Sequence, residues 1–208
     1  MTTLNKEAII IANGSFPTHP FALKLIDTAS YIICCDGGAN HLIDYGLEPH
    51  IIIGDGDSIT QANKIKYQDR LHILTDQETN DLTKAVSFAI DQGFTKLTIL
   101  GATGFREDHT LGNISLLMDY QEFCEVRMVT DHGRFFPSRN QFYETLEIGT
   151  QLSIFNFGAT NIQAIGLAYP VRDFSKWWEG TLNCTNSEVV EITAQGAFLI
   201  YIPFKAKE

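Results

Sequence analysis

Three observations predict an α/β fold followed by an all-β domain. Six short apolar runs alternate with helical patterns up to about residue 130. Helical periodicity then disappears, and the rest reads as short β-rich pieces separated by turn residues. The first part is expected to be a Rossmann-like, mostly parallel sheet with helices on both faces. The second is expected to be a small β-sandwich, with domains at 1–130 and 131–208.

The expected strands of the first domain are 8–12, 31–35, 50–53, 71–74, 96–100 and 125–129. Each is a run of Ile, Leu, Val or Cys too short for a helix. The clearest helix follows the fourth strand, where Leu82, Ala85, Val86, Ala89 and Ile90 fall at i, i+3, i+4, i+7 and i+8. Asn80 is placed to cap its start and Gly93 to end it. A further helix is expected over 108–123, carrying Leu111, Ile114, Leu117 and Met118 on one side. In the second domain the expected strands are 151–157, 160–165, 180–184, 189–193 and 198–202.

Composition narrows the function. Hydrophobic content of 44% and charged content of 19% fit an ordinary globular protein. A formal net charge of -10 argues against nucleic acid as a partner, because binding it nonspecifically needs a basic face. The same charge accommodates a polyphosphate only if metal ions neutralise much of it. No apolar run reaches the ~20 residues of a membrane span, so no membrane partner is expected and the chain reads as cytoplasmic. The four cysteines lack zinc-site spacing and read as reduced thiols.

Polar residues collect where the expected strands end, which is where open α/β sheets bind ligands. The second strand runs into Asp36-Gly37-Gly38-Ala39-Asn40, and the third into Gly54-Asp55-Gly56-Asp57-Ser58. In extended chain, Asp55 and Asp57 project to the same side, and such a carboxylate pair is costly without a cation between them. Glycine-flanked acids at a strand end suggest Mg²⁺ and phosphate chemistry, although an Asp/Gly turn explains the pentapeptide alone equally well. Asp81 enters from the first turn of the capped helix, bringing four acids to one rim. The run from Gly101 to Gly104, before a helix, can present backbone N–H groups to a phosphate. Beside it Arg106 offers a bidentate clamp, and Lys84 offers a point charge. An i, i+3 surface ion pair with Asp81 is the alternative for Lys84, but its place in the first turns of the helix, expected to face the same rim, favours function. His109 and Asn113, one helical turn apart, are candidates to line the pocket.

These segments, with Asp76-Gln77 and Asn80-Asp81-Leu82-Thr83-Lys84, resemble the thiamine pyrophosphokinase family in order and spacing. The likeness is fainter in the β-rich part, in Gly166-Leu167-Ala168-Tyr169 and Thr185-Asn186. The resemblance implies diphosphoryl transfer from ATP to the hydroxyl of thiamine, giving AMP and thiamine diphosphate. It also implies a homodimer with its sites at the subunit interface. By the same resemblance, Asp55, Asp57 and Asp81 hold Mg²⁺. Asp36, Asn40, Lys84, Thr103, Gly104, Arg106, Asp108, His109 and Asn113 surround ATP, while Gln77, Tyr169, Thr185 and Asn186 contact thiamine. The chain departs from the family in having Tyr169 where Trp is frequent and Thr185 where Ser is common; Trp177 and Trp178 are alternative aromatics.

The expected chemistry is in-line attack by the thiamine hydroxyl on the β-phosphorus of ATP. Asp57, Asp81, Lys84 and Arg106 are the catalytic candidates, with either Asp57 or Asp81 accepting the hydroxyl proton. Two rivals stand beside this reading. One is a haloacid-dehalogenase-like, Mg-dependent phosphatase with Asp55 as nucleophile and Asp57 as acid/base. The other is a non-catalytic thiamine or nucleotide sensor.

Overall fold

The computed structural model describes residues 6–76 and 78–204. They form two compact units, Met1–Asp131 and His132–Glu208. The first is α/β, with strands β1 (Glu7–Ile11), β2 (Ile32–Cys35), β3 (Ile51–Gly54), β4 (Leu71–Ile73), β5 (Lys96–Leu100) and β6 (Glu125–Val129). Each strand end lies within one residue of the sequence expectation. All pairings among the six are parallel, in the order β4-β3-β2-β1-β5-β6. All four β2 residues are buried, as a strand covered on both faces requires. Cys34 and Cys35 are therefore free core thiols, and burial raises both.

Five helices connect these strands: α1 (Pro20–Asp27), α2 (Gly38–Asp44), α3 (Gln61–Lys66), α4 (Asp81–Asp91) and α5 (Glu107–Tyr120). The capped helix is α4. Asn80 Oδ1 accepts the Thr83 N–H at 2.8 Å, and Gly93 takes φ +79° just beyond the last turn. Its apolar stripe buries Leu82, Ala85, Val86 and Ala89. Burying four such side chains contributes several kcal/mol, far more than helix propensity alone. No helix among the described residues is long and apolar enough to cross a membrane.

The second unit is antiparallel: β7 (Gly133–Thr145), β8 (Gln151–Ile165), β9 (Asn183–Cys184) and β10 (Val189–Pro203), in the order β7-β10-β8-β9. Its core includes Phe142, Leu152, Ile154, Val190, Ile192, Phe198 and Ile200. Sequence pattern divides β8 and β10 into two pieces each, because Gly158 and Gly196 read as turn residues, and it places Asn161 inside a strand. In the structure these three take positive φ inside continuous strands, near shifts in pairing register. Bulges bend such strands without ending them. Strand β7 is absent from the sequence expectation, since Arg134, Pro137, Arg139 and Asn140 interrupt any apolar alternation. Of the stretch expected as strand 180–184, Gly180 ends a 3-10 turn, Trp177–Gly180, and only Asn183 and Cys184 form a strand, β9. Trp177 packs against Phe155 and Phe157, with ring centroids 6.0 and 5.1 Å apart.

Candidate active site

The carboxyl ends of β1, β2, β3 and β5 and the starts of α4 and α5 border a cleft of about 440 Å³. Its wall includes Asp55, Asp57, Asp81, Thr103, Arg106, His109 and Asn113, drawn from three separate stretches of sequence. A cleft of this size suits a nucleotide-sized ligand.

Asp36 organises the acidic side. It follows β2 directly, is 2% exposed, and takes φ +33°, an uncommon backbone state for a residue with a side chain. Its carboxylate accepts the Ser58 N–H at 2.8 Å and the Ile59 N–H at 3.3 Å, fixing the loop that carries Asp55 and Asp57. Asp55 Oδ1 in turn accepts the Asp57 N–H at 3.1 Å, closing a tight turn around Gly56. One carboxylate oxygen from each of Asp36, Asp55 and Asp57 lies within 4.8 Å of the others. Burial raises the Asp36 carboxyl above the ordinary range; the Ser58 N–H opposes that and Asp57 reinforces it. The Asp57 carboxyl is lowered, first by the Ser58 hydroxyl and then by Asp36. Two carboxyl groups this close share a proton unless a cation enters between them.

Asp81 approaches from α4. A Cβ on Gly54 would sit 2.7 Å from Asp36 Cβ and 3.2 Å from Asp81 Oδ2, so glycine at the end of β3 makes room for both acids. The other Asp81 oxygen meets Lys84 Nζ at 3.1 Å. Lys84 is buried and does not line the cleft. Its charge reaches the site through the Asp81 carboxylate.

Several predicted nucleotide contacts turn out to be anchored. Asn40 donates from Nδ2 to Ser58 O at 3.0 Å and accepts from Thr60 N and Asn63 Nδ2 at 3.1 and 2.9 Å. Asn113 donates to Ala102 O at 2.8 Å and accepts from Asn80 Nδ2 at 3.3 Å, tying the β5 loop to the cap of α4. Arg106 is exposed and holds Asp108 in a fork, with Nε–Oδ1 at 3.1 Å and Nη2–Oδ2 at 2.6 Å. That pairing lowers the Asp108 carboxyl and raises the Arg106 guanidinium. Gly104 has φ +96° beside Ser15, so the β5 loop lies against the loop after β1. Sequence reasoning passed over that β1 loop, although Asn13 and Gly14 line the cleft.

In the second unit, Asn183 clamps Tyr169 through both backbone groups: Oδ1 accepts the Tyr169 N–H at 3.2 Å and Nδ2 donates to Tyr169 O at 2.9 Å. The Tyr169 ring is left 62% exposed, free to stack on a flat ligand. Thr185 is buried, and its hydroxyl donates to Glu147 O at 2.7 Å while accepting the Thr150 N–H at 3.0 Å. Asn186 is exposed and donates from Nδ2 to Leu167 O at 3.0 Å, leaving its side-chain oxygen available. Gln77 lies outside the described residues.

The model of the thiamin pyrophosphokinase catalytic domain matches residues 22–129, and that of the thiamin pyrophosphokinase substrate-binding domain matches 133–201. Thiamine pyrophosphokinase 1 of Oryza sativa subsp. japonica is 28% identical over 225 residues, covering 90% of this chain and 83% of the relative. Thiamine pyrophosphokinase of Bacillus subtilis (strain 168) is 28% identical over 207 residues, covering 95% and 94%. Among solved structures, the Bacillus subtilis thiamine pyrophosphokinase superposes with a TM-score of 0.79 at 21% identity, over 97% of this chain and 100% of that one. Thiamin pyrophosphokinase from Candida albicans gives 0.81 at 19% identity, over 97% and 90%. The structural likenesses speak for the fold, and the matched models, which together cover most of the chain, speak for descent: this chain belongs to the thiamin pyrophosphokinase family, a family of transferases.

Proposed function

We propose that the protein transfers a diphosphoryl group from ATP to the hydroxyl of thiamine, releasing AMP and thiamine diphosphate. The carrying observation is the convergence of Asp36, Asp55 and Asp57, the last two on the wall of a nucleotide-sized cleft. Their donor set is all carboxylate oxygen, the kind that hard divalent cations select, and its 4.8 Å spread is close to the ~4.2 Å across an octahedral Mg²⁺ shell. Asp55 and Asp57 hold Mg²⁺ in this reading, Asp36 fixes their loop, and Asp81 adds its carboxylate from α4. The ion supplies neutralising charge for the triphosphate.

The chain's own groups do the rest. Arg106 leaves or shares its Asp108 partner to clamp phosphate oxygens, and the 101–104 loop brings Ala102 and Thr103 to the same cleft. His109 lines the wall where the nucleotide enters. Asp57 or Asp81 receives the proton of the attacking hydroxyl as the β-phosphorus–oxygen bond to it forms and the bond to the AMP oxygen breaks. Positioning and electrostatics supply most of the acceleration in such a transfer. Tyr169 and Asn186 offer thiamine a stacking surface and a hydrogen-bond acceptor, with Gln77 as a further contact.

The first unit acts as the nucleotide- and Mg²⁺-binding Rossmann-like domain. The second acts as the thiamine-binding β-sandwich, its long bulged strands enclosing one apolar core. A homodimer fits the apolar side chains of Ile148, Ile165 and Trp178, which the second unit leaves exposed. The phosphatase and sensor readings are not favoured by the family match.

The test is one incubation with ATP, thiamine and Mg²⁺ in which AMP and thiamine diphosphate are both quantified. Stoichiometric appearance of the two is expected. Free phosphate without AMP, or tight binding without either product, refutes the proposal. Asp57→Asn is expected to lose Mg²⁺-dependent turnover by about a hundredfold or more while remaining folded.

A further inference from the structure

Asn13 is the first polar side chain beyond the carboxyl end of β1, the strand where the sheet order reverses. One side of β1 carries β2, β3 and β4, the other β5 and β6, and the crevice at such a reversal is where parallel sheets take their ligands. The backbone there is fixed by its neighbours. Gly14 N–H donates to Gly101 O at 2.6 Å and Ser15 N–H to Thr103 O at 2.8 Å, joining the β1 loop to the β5 loop. A side chain on Gly14 would collide with those same two carbonyl oxygens, so the close junction requires glycine.

The Asn13 amide is exposed on the cleft wall and makes no hydrogen bond to any described residue. It is nevertheless held in place. An ideal Cβ on Gly37, at the start of α2, would lie 2.6 Å from both Asn13 Nδ2 and Oδ1 and 2.7 Å from Cγ. The amide plane therefore rests against a bare glycine Cα. Around it, the cationic groups already have carboxylate partners, Arg106 with Asp108 and Lys84 with Asp81. A neutral amide is not captured by carboxylates as a cation is, and it can donate to a phosphate without giving up an existing partner.

We propose that Asn13 is a further catalytic residue, its Nδ2–H donating to a phosphate oxygen of the bound nucleoside triphosphate. The inference rests on the diphosphotransferase reading. No bond to Asn13 forms or breaks; the residue stabilises charge on oxygens already negative.

Three variants test it, read by ATP and thiamine kinetics with Mg²⁺ and by calorimetric binding of MgATP. Asn13→Ala is expected to lower kcat/KM for ATP by about tenfold to a hundredfold, the worth of one hydrogen bond to a charged group, with the KM for thiamine unchanged. Asn13→Asp, which places a carboxylate where a donor stood, is expected to lose more than Asn13→Ala at unchanged melting temperature. Gly37→Ala has an ordinary helical backbone to adopt, and the atoms nearest its Cβ are those of the Asn13 side chain. It is expected to damage the wild type and to cost nothing further in the Asn13→Ala background. Equal effects of Asn13→Ala and Asn13→Asp, unchanged kinetics in either, or a Gly37→Ala cost that persists without Asn13 would overturn the proposal. If the wild type releases no AMP, the family reaction fails first, and the MgATP affinities of the same variants decide the role of Asn13 alone.

Discussion

Gly54→Ala puts the construction of the acidic rim to a sharp test, because two opposing effects can be weighed. Gly54 ends β3 with an ordinary backbone, so alanine is allowed there and by propensity alone would stabilise the strand by about 0.5–1 kcal/mol. Against this, the new Cβ would stand 2.7 Å from Asp36 Cβ, 3.3 Å from Asp36 Cγ and 3.2 Å from Asp81 Oδ2. Carbon atoms prefer about 3.5–4.0 Å, so Asp36 must retreat by roughly 1 Å. The atom struck is Cβ, next to the backbone, and no rotamer moves it away. The Asp36 N–H is itself bound to Ile53 O at 2.8 Å, so the backbone resists as well. Overpacking of this kind costs about 1–3 kcal/mol. Weakening the Ser58 and Ile59 contacts to a buried carboxylate adds about 1.5–3 kcal/mol, and the steric side wins. Net destabilisation of about 1.5–5.5 kcal/mol is expected by urea denaturation, against the roughly 5–15 kcal/mol stability of a typical domain. Turnover at saturating Mg²⁺ is expected to fall about a hundredfold, since the loop carrying Asp55 and Asp57 moves with Asp36. A variant that is as stable as wild type and releases AMP at an undiminished rate would show that Asp36 does not brace the site.

The same substitution at Gly112, inside α5, is expected to act in the opposite direction. Nothing lies within 4 Å of its ideal Cβ, and Gly112→Ala should stabilise by about 0.5–1 kcal/mol in thermal denaturation, an unchanged or lower melting temperature contradicting this. Thr185→Val keeps the shape but removes a buried hydroxyl that serves Glu147 O and Thr150 N, and should cost about 1–3 kcal/mol by denaturant midpoint. A loss of thiamine affinity at unchanged stability would instead make Thr185 a ligand contact. His50 Nδ1 accepts the Ile32 N–H at 3.1 Å, and burial, with Arg70 nearby, lowers the imidazole pKa. A lowered pKa means the fold favours neutral His50. Its contribution is therefore complete above the unfolded value of about 6.5 and is lost as pH falls through the folded value. The stability gap between wild type and His50→Gln should narrow from pH 7.5 to pH 5; a gap independent of pH would refute the assignment.

Legibility differed between the units for physical reasons. Strands β1, β2, β3 and β5 are short, largely buried and bounded by helices, so each writes itself as an apolar run, while β4, more exposed, shows only through Leu71 and Ile73. Strands β8 and β10 hide their continuity, because Gly158, Asn161 and Gly196 serve as bulges where the same residues elsewhere serve as turns. Strand β7 tolerates Pro137 and several charges and leaves no alternation to read. At the site, acids at strand ends are visible because position after a strand is itself a sequence property. Whether a polar side chain is available is not: the amide of Asn40 and the hydroxyl of Thr185 have sequence contexts like those of ligand contacts, yet both are already bonded within the protein. Asn13 fails in the other direction. Asn-Gly-Ser reads as generic loop chemistry, and only the strand order shows that it stands at the reversal point.

The division between anchored and available groups carries the electrostatic argument further. Four acids on one rim would repel one another, yet the chain does not neutralise them equally. Asp81 is met by Lys84 and Asp36 by two backbone N–H groups, which anchor both carboxylates within the protein although burial still raises the Asp36 carboxyl. Asp55 and Asp57 receive hydrogen bonds from their own turn, the Asp57 N–H and the Ser58 hydroxyl, and no cation lies within ion-pair distance of either among the described residues, the charge of Lys64 reaching Asp57 only from further off. Their repulsion is therefore relieved most by a cation from solution, and the free energy of relieving it becomes binding energy for that cation. On this reasoning the unequal pairing, more than the count of acids, makes the Asp55–Asp57 turn the place where the divalent ion enters.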